Sequence, residues 1–219
     1  MTERTLHHKV SQMSENWANE NLQTIRTLME RTAIYRRALA PISLVAGSLG
    51  VLSGALAWRL GIEDPRNFIF WWIGTGVLGA CIGFFQMRSQ AVRDQEALFS
   101  PPTRRVLQAM SPTFLSGIIV SIVFLALDFG RDVGVTILPI IWMLFFGSAL
   151  HSAGFFMKRG IRLLGWIFIA TAIVDLLLMA NFEELRENTN ISHFMMATVF
   201  GGYNLAYCFY LYATEKEEV

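Results

Sequence analysis

The stretch that decides the fold is GVTILPIIWMLFFGSALHSAGFFMKRGIRLLGWIFIATAIVDLLLMA, residues 134–180. One apolar segment runs from Gly134 to Met157. A basic turn follows (Lys158, Arg159, Gly160, Ile161, Arg162), and a second apolar segment runs to Ala180. At ~1.5 Å per helical residue each segment can cross a hydrocarbon layer of ~30 Å, so the pair predicts a transmembrane hairpin. Three positive charges at its turn direct that turn to the cytoplasmic side.

Working outward, the composition agrees with a lipid environment. The 219 residues are 53% hydrophobic and only 16% charged, with a mean hydropathy of +0.43, too apolar for an ordinary water-soluble domain. The net charge of +1 hides a segregation of charge between alternate loops and carries no nucleic-acid footprint. The polar residues 1–37 far exceed the short basic region that opens a secretory leader, so no cleaved leader is expected. Cys81 and Cys208 both fall inside apolar segments and read as small buried hydrophobes, not as a disulfide.

The pattern predicts an all-α polytopic membrane protein. A cytoplasmic amphipathic segment, 1–37, precedes a six-helix bundle, 38–213, with spans at about 38–58, 68–87, 113–129, 134–157, 161–180 and 193–213, and a tail at 214–219. In the first segment Ser14 caps a helix whose Leu22, Ile25, Leu28, Met29 and Thr32 form a narrow apolar stripe. That stripe suits either the headgroup layer, with Arg26, Arg31, Arg36 and Arg37 near anionic lipid, or a docking partner. Trp71 and Trp72 are expected at the outer interface. Residues 88–112 form the longest interior connection. There the second helix continues toward Phe99, Ser100 and Pro101 start a short amphipathic helix, and Pro112 opens the third span.

Small residues mark where helices approach closely. Gly47, Gly50 and Gly54 share one face of the first span. Gly76, Gly79 and Gly83 share one of the second, with Gly79 and Gly83 in GxxxG spacing, and Gly147 and Gly154 flank His151 on the fourth. Gly201 lies one turn before Asn204 in the sixth. Fourteen of the 18 Lys and Arg fall on one side if the N-terminus is inside, which predicts cytoplasmic N- and C-termini.

Ionisable and polar groups inside spans are the default places to look for a ligand or ion pathway, and here they are His151, Asp175 and Asn204. Helical rise puts His151 roughly 9 Å, Asn204 roughly 13 Å and Asp175 roughly 21 Å from the inner edge, so His151 is within reach of Asn204 but not of Asp175. The bland alternatives are a neutral His151 bonded to a carbonyl or to Asn204, and an Asp175 carboxyl bonded to Thr171. Asp128 reads as an interfacial residue.

The sequence carries no catalytic or ligand-binding signature. No HExxH occurs, and His7, His8, His151 and His193 fall at unrelated depths, which argues against a metal or a haem. Neither glycine-flanked aspartates nor a GxSG serine suggests an intramembrane protease, and no phosphate-binding glycine loop follows a strand. No catalytic residue, metal or cofactor is expected, and the chain is read as non-enzymatic. Pro41-Ile42 with Gly47-Ser48, and Pro139-Ile140 with Gly147-Ser148, give a weak hint of an inverted repeat of the transporter kind.

IRTLMER (25–31), SPPTRR (100–105), GSALHSAGFF (147–156) and GGYNLAYCFYLY (201–212) together resemble an uncharacterised family of small bacterial six-span membrane proteins. The resemblance implies a bacterial inner-membrane location and genes set beside small winged-helix regulators, and it transfers no functional residue. The reading that follows is an accessory, scaffold or signal-linked component. It has the lipid bilayer and a protein met through residues 14–37 or 88–110 as partners, with homo-oligomers allowed. The alternative is a small transporter or channel with a polar track through the bundle.

Overall fold

A computed structural model describes residues 39–93, 95, 101–127, 134–157, 159–182 and 189–215. The chain divides into two units, Met1–Arg37 and Ala38–Val219, and every described residue belongs to the second. The docking stripe expected over residues 14–37, the interfacial Asp128 and the tail beyond Glu215 therefore lie outside the described residues.

The described residues are helical, without strands. In chain order they form α1 (Leu39–Arg59), α2 (Pro65–Arg93), α3 (Pro101–Leu127), α4 (Gly134–Ala153), α5 (Arg159–Asn181), α6 (Thr189–Met196), a π-helical segment (Ala197–Gly202) and α7 (Tyr203–Glu215). The first five are long and apolar enough to cross a membrane. Their outward faces carry large exposed side chains such as Leu52, Phe85, Ile118, Leu163 and Leu177. Apolar surface on that scale points to a multi-pass membrane protein. Where the sequence predicts a sixth uninterrupted span, the structure has three consecutive pieces, α6, the π segment and α7, with helical dihedrals carried through both joints.

Local sequence explains the helix ends. α1 closes in a Schellman turn: Gly61 sits at φ +62°, and the amides of Gly61 and Ile62 donate to the carbonyls of Trp58 and Ala57 at 3.2 Å. Asp64 then caps α2, its Oδ2 accepting from the amides of Arg66 and Asn67 at 3.1 Å, and Pro65 takes the first helical position where no amide donor is needed. The helix thus starts three residues before the expected Phe68. The described helix ends at Arg93, Gln95 follows with φ 52°, and the expected continuation to Phe99 lies outside the described residues.

The third helix corrects a sequence expectation. α3 is one helix through Pro112, not a short amphipathic helix followed by a separate span. Proline removes the donor that the Gln108 carbonyl would otherwise receive, and the Ser111 hydroxyl supplies a substitute at 3.1 Å. Thr113 and Ser116 likewise bond back to Met110 and Pro112.

α4 occupies the middle of the bundle. Gly147 and Gly165 bring α4 and α5 together: a Cβ on Gly147 would lie 2.8 Å from the Gly165 carbonyl, and one on Gly165 would lie 2.7 Å from the His151 amide nitrogen. α1 crosses the last helix at a second glycine contact, where a Cβ on Gly50 would lie 2.8 Å from the Gly201 Cα. Gly47 faces Leu205 and Gly54 faces Ala197 and His193, so α1 and the last helix run antiparallel. The start of α1 and the end of α7 lie at the same end of the bundle. The GxxxG pair of α2 does less, since Gly79 and Gly83 meet only the side-chain tips of Leu49 and Ile42 at 3.4 and 3.8 Å, and Gly76 faces nothing within 4 Å.

Candidate functional site

The centre of the bundle is filled by rings. Phe146 of α4, Phe168 of α5, and Phe200 and Tyr203 of the last helix form a cluster with centroid separations of 5.0 to 5.5 Å, mostly tilted or edge-on. Phe168 is fully buried. Such a cluster gains the edge-to-face attraction of aromatic quadrupoles.

Polar side chains between helices are paired with each other. Thr171 Oγ1 donates to the Ile167 carbonyl, so its 2.9 Å contact with the Tyr203 hydroxyl has the tyrosine as donor. The same logic makes Ser53 Oγ the donor to Thr75 Oγ1 at 2.6 Å, because Thr75 donates to the Trp71 carbonyl. Trp71 Nε1 donates to the Ser53 carbonyl, and Trp142 Nε1 donates to Ser121 Oγ at 2.9 Å.

At one end of the bundle a buried histidine, missed in the sequence, ties three elements together. His193 is 1% exposed; its Nδ1 accepts from Trp72 Nε1 at 3.1 Å, and its Nε2 donates to the Ile62 carbonyl at 2.8 Å. Its ring sits on Phe68 with centroids 4.8 Å apart. Thr189 adds a bond to the Glu63 carbonyl at 3.2 Å. Trp72 is thus a core residue, 4% exposed, and not the interfacial anchor its position suggested. The neighbouring Ser192 is fully buried, and its Oγ has no partner.

At the opposite end, where α4 turns into α5, lies an open cleft of about 510 Å³ lined by His151, Gly160, Arg162, Leu163, Trp166 and Tyr210. The His151 ring stands edge-on to Phe155 and Trp166, at 5.3 and 5.1 Å. Its Nδ1 is buried without a partner. The Arg162 guanidinium lies over the Phe155 ring, 5.6 Å from its centroid.

The sequence-predicted polar residues are not joined to one another. His151 belongs to the cleft. Asn204 donates its side-chain amide to the Phe200 carbonyl, one turn back on its own helix, at 2.7 Å. The Thr171 hydroxyl expected beside Asp175 is engaged by Ile167 and Tyr203 instead, and Asp175 is half-buried on α5. Among the described residues no group of three or more His, Cys, Asp or Glu side chains has the spacing to hold a metal ion.

No family model, curated protein or solved structure matches this chain. Its function is therefore argued from its own geometry.

Proposed function

We propose that this chain is a six-span, non-enzymatic component of a bacterial inner membrane, with both termini cytoplasmic, serving as an accessory, scaffold or signal-linked protein. The observation that carries the reading is the packed aromatic cluster of Phe146, Phe168, Phe200 and Tyr203, which joins α4, α5 and the last helix. Paired hydroxyls and indoles around it favour a packed structural bundle. The antiparallel course of α1 and the last helix supports an even number of crossings, and the excess of Lys and Arg in alternate loops supports termini on the cytoplasmic side. The cytoplasmic segments left for a partner are residues 14–37 and 88–110.

The second reading, a small transporter or channel, draws on Asp175, for which no hydrogen-bond or charge partner occurs among the described residues, and on the unpartnered Nδ1 of His151. Proteoliposomes loaded with a pH-sensitive dye separate the two. The first reading expects proton and cation leak equal to that of empty vesicles. A pH-dependent flux abolished by His151→Ala or Asp175→Asn would replace it with the second.

A further inference from the structure

The cleft at the α4–α5 turn gathers several polar side chains at one place. Four of its six lining residues carry side-chain hydrogen-bond donors: His151, Arg162, Trp166 and Tyr210. Among the described residues, none of the four side-chain donors has a protein acceptor and no carboxylate lines the cleft. The His151 Nδ1 is buried without a partner. Arg162 contributes a guanidinium whose described contact is the face of Phe155.

Beside these donors lies bare apolar surface. Leu163 is 61% exposed and Trp166 is 55% exposed on the face of α5 that descends from the cleft. An occupant that satisfies both halves needs several acceptor oxygens, a negative charge and a hydrocarbon tail. We propose that this cleft binds an anionic phospholipid, its phosphate oxygens taken by Arg162, His151, Trp166 and Tyr210 and its acyl chain laid along Leu163 and Trp166. Guanidinium suits a phosphate because its planar fork donates two parallel, charge-assisted bonds. A zwitterionic headgroup brings an ammonium that would share the cleft with Arg162, so charge selects for an anionic one. Free phosphate would satisfy the donors and leave the apolar surface uncovered.

The proposal needs the chain to sit in a bilayer but not the accessory role, and its test involves no flux or partner. Purified full-length protein in detergent is titrated with dioctanoyl phosphatidylglycerol, dioctanoyl phosphatidylcholine or inorganic phosphate, and thermal unfolding is followed. Phosphatidylglycerol should raise Tm saturably, with a half-saturating concentration about tenfold below that of phosphatidylcholine. Arg162→Gln keeps the Cβ that faces Gly154 and should raise that concentration about tenfold. Tyr210→Phe removes only a hydroxyl from an exposed ring, should raise it about threefold, and serves alone if the arginine variant does not fold. Equal midpoints for the two lipids, or for parent and variants, overturn the proposal. Inorganic phosphate acting at the same concentration as phosphatidylglycerol overturns the lipid assignment.

Discussion

Trp72 donates its indole N–H to Nδ1 of His193 across 3.1 Å of buried space, and the opposite ring nitrogen reaches the Ile62 carbonyl at 2.8 Å. One neutral imidazole, accepting on one side and donating on the other, thereby fastens α2 and the α1–α2 loop to the start of α6. Trp72→Phe keeps most of the ring volume but leaves Nδ1 unsatisfied, and should cost about 1–2 kcal/mol. His193→Ala removes both bonds and opens a void against Phe68, and should cost about 3 kcal/mol or more. Unfolding by SDS in mixed micelles measures both, and a Trp72→Phe variant as stable as the parent would show that the bond carries no net stability.

The carbonyl that His193 reaches is aimed by the Schellman turn at Gly61. With φ at +62° and no atom near the absent Cβ, the position is demanding for conformation and not for space. Gly61→Ala should therefore cost about 1 kcal/mol, from the left-handed backbone alone. Gly61→Asn, which tolerates that region better, should recover part of the loss. Equal stability of the alanine and asparagine variants would contradict this.

Two glycine faces that look alike in the sequence should behave differently. A methyl at Gly50 would meet the backbone of Gly201, which cannot rotate away, so Gly50→Ala must push α1 off the last helix at a cost of about 2 kcal/mol or more. A methyl at Gly79 would meet only the tip of Leu49 at 3.4 Å, and Gly79→Ala should be neutral to within ~0.5 kcal/mol despite its GxxxG spacing. The same SDS titration ranks them, and a reversed order would refute the crossing.

How much of this was legible follows from what each signal encodes. The α4–α5 hairpin could be read because length, apolarity and a basic turn are properties of contiguous residues. Asp64-Pro65 is equally local, a cap and a first-turn proline in plain sequence, but it lies outside the apolar run that begins at Phe68. The course of α3 through Pro112 hinged on one hydroxyl, Ser111, whose role appears only once the Gln108 carbonyl lacks its donor. Spacing announced that Gly50 lies on a close-approach face, but its counterpart Gly201 is far along the chain, and nothing periodic links them. The role of His193 has no local signal, because its partners, Trp72 and Ile62, are also remote in sequence. The cleft joins His151 to Arg162, Trp166 and Tyr210, whereas depth along the helix axis had paired His151 with Asn204. Depth gives one coordinate of three, and the rotation of each helix supplies the others.

The bond between Thr171 and Tyr203 makes an asymmetric prediction. Because the threonine proton is held by Ile167, the tyrosine is the donor, and the two residues are not equivalent when removed. Tyr203→Phe takes away a donor and leaves Thr171 Oγ1 still bonded to its own helix, a loss of about 0.5–1 kcal/mol. Thr171→Val preserves shape but strands the tyrosine hydroxyl between α5 and α7 without its acceptor, at a cost of about 1–2 kcal/mol. The double variant should then be more stable than Thr171→Val alone, since removing the stranded donor relieves its desolvation. A double-mutant cycle in mixed micelles reads this directly. If the double variant is the least stable of the three, the donor assignment is wrong and the tyrosine accepts.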